Sequence, residues 1–251
     1  MLHKTWRFVA LASAVLIAAA CSKKESGMSR TGQASDSGNM GSMSGMSGMS
    51  AMSDSVEYTI VLKSSWTKAR FPLEYPEAGT FTGPHFSGLI GAAHNSSYAI
   101  FTVGSRPTAG LEKLSEEGKH APLDSEIRKA IESGAATSLV ESGPLRNFGD
   151  SLVATVRVDA NHPLLSLVAM IAPSPDWFTG VSNVNLRENG EWVASRSLDL
   201  WAYDSGGDDG MTYKAADQDN NPKKPTEQSK DRHFAPKGMA LAVGTVTITR
   251  K

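Results

Sequence analysis

Leu164-Leu-Ser-Leu-Val-Ala-Met-Ile-Ala172, followed directly by Pro173-Ser-Pro-Asp-Trp-Phe178, carries the reading of the fold. The first run holds one hydroxyl and no charge. It is too short to cross a bilayer, and its unbroken apolarity suits a strand buried on both faces. The prolines cannot extend a ladder, so they end the strand and fix the direction of the chain. Asp176 then projects from a strand end beside Trp177 and Phe178, two aromatics that read as packing residues.

Outward from this segment, alternation of apolar and polar residues marks further strands. Glu57–Lys63, Ser97–Val103, Ser151–Asp159, Val181–Leu186, Glu191–Ser195, Leu198–Tyr203 and Leu241–Thr249 all read this way. Asn189-Gly190 between two of them is a hairpin signal. Helical spacing occurs only between Gly110 and Gly134, where Leu111 and Leu114, then Leu123, Ile127, Ala130 and Ile131, line up. Gly118 and Gly134 are placed to stop the two pieces. The fold class expected is all-β: an antiparallel β-sandwich of about eight strands with one or two short inserted helices.

The chain divides into three parts. Lys4 and Arg7 precede a short apolar run, Phe8–Ala20, which reads as a secretory signal over residues 1–20. The single cysteine, Cys21, follows at once and resembles the acylated residue of the bacterial lipoprotein box; Ser22 after it implies the outer membrane. Residues 21–54 are dominated by Gly, Ser and Met, with almost no hydrophobic residue except Met, a tether unable to bury a core. Such a coil has an r.m.s. span of roughly 30–35 Å. Residues 55–251 hold one domain's worth of patterned chain.

Composition excludes several classes. With 25 Lys+Arg against 26 Asp+Glu, the chain lacks the basic face that nucleic acid demands. One cysteine rules out an internal disulfide framework and a thiolate zinc cluster. No GxSxG, GxGxxG or Walker pattern is present, and none of His3, His85, His94, His120, His162 and His233 is spaced three or four from another. His94, in a polar stretch before an expected strand, and His162 are the only bases a hydrolase could use.

Acidic residues are better organised. Asp204-Ser-Gly-Gly-Asp208-Asp209-Gly210 puts three carboxylates into a bendable loop, where they repel unless a cation joins them. Hard oxygens of this kind suit Ca²⁺. Asp217, Asp219 and Asn221 match the start of an EF-hand loop, but Pro222 and Gln228 occupy positions where Gly and Glu belong, and a plain polar loop is the better reading. Met40, Met43, Met46, Met49 and Met52 recur every third residue and could hold Cu(I) through soft thioethers.

Several stretches together resemble the spondin N-terminal domain. They are Tyr58-Thr-Ile-Val-Leu62 with Trp66 and Phe71-Pro72; Leu89–Tyr98; Gly110-Leu111 with Glu117-Gly118; Pro173–Val181; and Leu198–Asp208 with Gly210. The resemblance implies an antiparallel sandwich holding a divalent cation, taken as calcium, and assigns its carboxylates to Asp176, Asp204 and Asp208, with Asp209 in reserve. Arg187 stands where the family usually has cysteine, and the chain carries no Cys/Trp-rich repeats after the domain. Partner binding of animal members is therefore not carried over. The function expected is a lipid-anchored, non-enzymatic binding or adhesion module of the cell envelope, with a structural Ca²⁺ site and a protein or glycan ligand. The alternatives are a periplasmic copper handler using the Met-rich tether, and a metal-dependent hydrolase. Asn221–Lys237 reads as a mobile surface loop.

Overall fold

The computed structural model describes residues 54–77, 83–145 and 151–251. The expected signal, Cys21 and the methionine repeat lie outside the described residues. Strands run β1 (Ser55–Ser64), β2 (His85–His94), β3 (Ala136–Leu145), β4 (Ser151–Asp159), β5 (Leu164–Ala172), β6 (Trp177–Asn185), β7 (Arg187–Glu188), β8 (Glu191–Trp192), β9 (Ser195–Asp204), β10 (Glu227–Gln228) and β11 (Gly244–Arg250). Two helices, α1 (Ala109–Glu117) and α2 (Leu123–Glu132), interrupt them. The main sheet has the order β3-β2-β5-β6-β9-β11-β1-β4, with β10 added to the end of β9. Its described ladders are all antiparallel. The sheet curls until its two edges approach, and Ser138 Oγ on β3 donates to the Arg157 carbonyl on β4 at 2.8 Å. The result is a two-layered, nearly barrel-like β fold, as the strand pattern predicts.

β5 shows why the apolar run decides the fold. Leu165, Leu167, Ala169 and Ile171 face the core between the layers, with Tyr58, Ile60, Leu62, Trp66 and Ile248. Val168 faces the opposite way and packs with Ile90, Phe178, Leu111, Leu114 and Ile127, beneath the two helices. Both faces are thus removed from water, and the strand has no need to alternate. Thr108 caps α1, its Oγ1 accepting from the Leu111 amide at 3.1 Å, and Gly118 ends the helix in the left-handed conformation at φ 65°.

Two expectations are corrected, and two strands had gone unread. Ser97–Val103 is not a strand: an Asx turn at Asn95, whose Oδ1 accepts from the Ser97 amide at 2.9 Å, starts an irregular segment that buries Ile100 and Phe101 against the helix-side core. Here burial, not a ladder, uses the apolar residues. β2 and β3 were not legible as strands, because β2 is rich in Gly and Ala and β3 in Ser and Gly. Asn221–Lys237 is not a loose loop, since Thr226, Ser229, His233 and Phe234 are buried and Phe234 sits in the central core. The Asn189-Gly190 turn forms as expected, with φ of 53° and 84°, but between the two-residue strands β7 and β8.

Candidate functional site

β5 ends and β6 begins at one pole of the sheet, and the Pro173–Asp176 turn joins them there. β9 ends at the same level, because Trp177 pairs with Asp204. The two segments that sequence reading singled out are therefore neighbours. Trp177 and Phe178 pack as expected: both are buried, Trp177 against Tyr213 and Phe234, and Phe178 against Phe101 and Tyr203.

The loop after β9 wraps around the Asp176 carboxylate. Asp176 is fully buried. Its Oδ2 accepts from Ser205 Oγ at 2.9 Å, from the Gly207 amide at 2.8 Å and from the Asp208 amide at 3.2 Å. The turn that allows this needs Gly206, whose φ is 83°; a Cβ there would also lie 2.3 Å from the Lys224 carbonyl oxygen. The other oxygen, Oδ1, is buried and has no hydrogen-bond donor. A buried carboxylate oxygen left in this way is costly unless something positive meets it.

Asp204 is half-buried beside it. Oδ1 accepts from the Gly206 amide at 2.9 Å, and among the described residues no donor reaches Oδ2. Burial first, and then the charge of Asp176, push the Asp204 carboxyl up to about 7. Burial also raises Asp176, against the pull of its three donors. The pair thus resists holding two negative charges unless a cation is present.

Asp208 belongs to the same loop but is differently engaged. Its Oδ1 accepts from the Gly210 amide and its Oδ2 from the Gln218 amide, both at 2.5 Å. This carboxylate ties the acidic loop to the segment that follows. Asp209 points outward, accepting from Asn220 Nδ2 and pairing with the Lys224 ammonium, whose hydrogen bond holds its carboxyl below the usual range. Asp219 pairs with Asp208 through a backbone bridge, and Asn220 is buried, with Nδ2 3.3 Å from the Gly206 carbonyl. The 217–221 segment is therefore a brace for the acidic loop, not a loop of EF-hand type.

One cluster escaped sequence reading. Glu112 and Glu116 lie one turn apart on α1, and with Asp219 they bring ligand-type oxygens within 4.8 Å of one another. Lys223 Nζ already lies among them, 2.9 Å from Glu112, paired with Asp219, and 3.4 Å from the Gly207 carbonyl. Its burial disfavours charge, but hydrogen bonds to Asp219 and Glu112 outweigh this and keep it protonated above its ordinary value. Only the i, i+4 spacing of the two glutamates was visible beforehand.

The two histidines considered as bases lie elsewhere. His94 ends β2 at the opposite pole and is fully buried. Its Nδ1 faces the Asn95 carbonyl and its Nε2 the Ser166 hydroxyl, each at 2.8 Å, and burial depresses its protonation. His162 is also at that pole, between Asp159 Oδ1 at 2.9 Å and the Gly134 carbonyl at 3.0 Å. Neither is near the acidic loop.

With this geometry in place, comparison with known proteins is informative. The family model Spondin_N matches residues 56–237. Spondin-2 of Homo sapiens is 35% identical over 161 residues, covering 63% of this chain and 48% of its own length. Spondin-2 of Rattus norvegicus is 35% identical over 160 residues, with the same coverage. Spondin-1 of Bos taurus is 29% identical over 181 residues, 68% of this chain and 21% of its own length. The chain thus spans about half the length of Spondin-2 and about a fifth of Spondin-1. It belongs to the spondin N-terminal domain family.

Proposed function

We propose that this spondin-family chain is a non-enzymatic binding module of the cell envelope, anchored through a lipid on Cys21, whose acidic pole holds Ca²⁺ through Asp176 and Asp204. Asp208 contributes by fixing the loop: its backbone amide donates to Asp176 Oδ2 and its carboxylate accepts from the Gly210 and Gln218 amides. The observation that carries this reading is the fully buried Asp176, with one oxygen gripped by three donors and the other by none. Three donors aim the group, and a hard divalent ion is the partner that suits the oxygen left over. The raised carboxyl of Asp204 supports the same reading, because a cation would relieve the repulsion that raises it.

A bound ion would supply positive charge at the loop and hold the Pro173–Asp176 turn and the 204–210 loop together. It would stabilise the fold by mass action. Extracytoplasmic sites with affinities of roughly 10⁻⁴–10⁻³ M are filled by the Ca²⁺ found there. The surface so ordered would meet a protein or glycan. Ser55, where β1 starts, lies at the pole opposite Asp204, so an anchor on the amino-terminal side would leave the acidic pole free.

Calorimetric titration of Ca²⁺ into chelator-treated protein, with its melting temperature measured alongside, tests the metal. Heat of binding and a rise in melting temperature are expected. A flat titration together with an unchanged melting temperature would remove the calcium assignment. Mass spectrometry of the mature amino terminus tests the anchor, which an unmodified Cys21 would rule out.

A further inference from the structure

A second feature lies at the same pole, across Glu116 from the acidic loop. A cleft of about 510 Å³ opens between the start of β2, the end of β5 and the C-terminal turn of α1. His85, His120, Glu116 and Met170 are among the residues that line it.

The two histidines are prepared in the same way. His85 Nδ1 is 2.7 Å from the Gly83 carbonyl, which can only accept, so Nδ1 carries the proton. His120 Nδ1 is 2.9 Å from Glu141 Oε1, a carboxylate that likewise accepts. In the neutral ring each Nε2 is then a lone pair, and neither has a hydrogen-bond partner among the described residues. The remaining described histidines, His94, His162 and His233, have both nitrogens engaged. The only unpartnered imidazole nitrogens among the described residues therefore belong to two residues that line one cleft. Space is kept for one of them by Gly88: a Cβ on that residue would lie 2.9 Å from His120 Nε2.

An Nδ1–H donated to a carboxylate or backbone carbonyl is the arrangement that fixes the tautomer and orientation of a metal-binding histidine. Imidazole, thioether and carboxylate together suit a borderline transition-metal ion better than a hard one. We propose that His85 and His120 bind a divalent transition-metal ion in this cleft, Cu(II) in preference to Zn(II), with Met170 and Glu116 as the further donors at hand. His85, His120 and Glu116 are not already gathered around one point, so binding would require His85 and His120, both partly exposed, to turn inward over the cleft floor. The order of metals follows the general affinity series for nitrogen-rich sites.

The test is Cu²⁺ titration of the full chain near neutral pH, followed by calorimetry and by the nitrogen hyperfine pattern in electron paramagnetic resonance. Wild type should bind one equivalent that His85→Ala/His120→Ala lacks. Glu141→Ala, which frees the His120 ring without removing it, should weaken that equivalent by roughly 10-fold. Zn²⁺ should bind at the same place more weakly. The double variant is shown to be folded by a metal-free melting temperature equal to that of wild type. Should it fail to fold, site-resolved protection of His85 and His120 from diethylpyrocarbonate by Cu²⁺ in wild type decides instead. Full retention of copper by the folded double variant, whether on Met40–Met52 or on the amino terminus, overturns the proposal, as does absence of protection. Ca²⁺ binding at Asp176 and Asp204 is unaffected by these variants, so the two sites fail or stand separately.

Discussion

Replacing Asp204 by Asn should make the cation-free protein more stable, the reverse of what substitution in a ligand loop usually does. The carboxyl sits at about 7 in the fold against an ordinary 3.8. Below about pH 4 folded and unfolded chains both carry the proton and the group contributes nothing. Between about pH 4 and 7 the folded state binds more protons, so stability falls as pH rises. Above about pH 7 the folded state bears the full cost of a charge that the unfolded chain carries freely. About three decades of proton affinity, at about 1.4 kcal/mol each, put an upper bound of about 4 kcal/mol on that cost. In a domain of this size each kcal/mol moves the melting temperature by about 2–4 °C, so the bound corresponds to about 10 °C. Asn keeps the acceptor that the Gly206 amide uses at 2.9 Å and can turn an amide donor toward Asp176. Differential scanning calorimetry in chelator should show the variant melting above wild type at about pH 8 and the gap closing toward about pH 4. With millimolar Ca²⁺ the wild type should rise and the variant should not. A variant that melts below wild type at high pH in chelator, or a gap independent of pH, would refute the electrostatic account.

Other substitutions probe other links. Asp176→Ala removes the acceptor shared by Ser205 Oγ and the Gly207 and Asp208 amides, and should lower the free energy of unfolding in urea by about 3 kcal/mol, the cost of stranding buried donors. Opposite signs for Asp176→Ala and Asp204→Asn separate the group that builds the loop from the group the loop strains. Gly180→Ala would put a Cβ 2.1 Å from the Leu167 carbonyl oxygen, which must force β5 and β6 apart; a loss of about 3 kcal/mol and weakened amide protection in both strands are expected. Thr108→Ala removes the α1 cap and the hydroxyl that donates to Glu126 Oε2 at 2.7 Å, and should cost about 1 kcal/mol by the same denaturation assay.

The sequence was legible where one force dominated. β5 announces itself because both of its faces are buried, and β4 because one is: Leu152, Ala154, Val156 and Val158 are inside and the residues between them are not. The helices were marked by spacing and by their terminal glycines. β2 was hidden because its glycines answer to a different demand. Gly91 lies where a Cβ would be 2.4 Å from the Ser166 carbonyl oxygen, so close strand approach sets the residue and β propensity does not. Ser97–Val103 misled for the opposite reason: its alternation is real, but Ile100 and Phe101 plug a core from a loop. At the site, motif reading brought Asp176 to Asp204 across 28 residues of sequence. It could not see that Asp208 would spend its oxygens on Gly210 and Gln218, because hydrogen bonds across a loop leave no periodic trace. The Lys223 ammonium among Glu112, Glu116 and Asp219 was invisible for the same reason.

The two poles of the domain differ in a way that stability alone does not require. At the β1 pole the polar groups close on one another. Asp54 accepts from Trp192 Nε1 at 2.7 Å and pairs with Arg187 at 2.6 Å, and Arg187 also lies over the Trp192 ring. His162, Asp159 and Gly134 form a further closed set. At the other pole a buried Asp176 oxygen, the second oxygen of Asp204 and two imidazole nitrogens are left without donors or acceptors among the described residues. The ten residues of β9 separate the two ends by roughly 30 Å. Closing the second pole would have been simple chemistry: a lysine or arginine aimed at Asp176, as Lys224 is aimed at Asp209, removes the penalty outright. The fold instead carries that penalty at the end opposite Ser55, and such a distribution makes sense when the missing partner arrives from outside the chain.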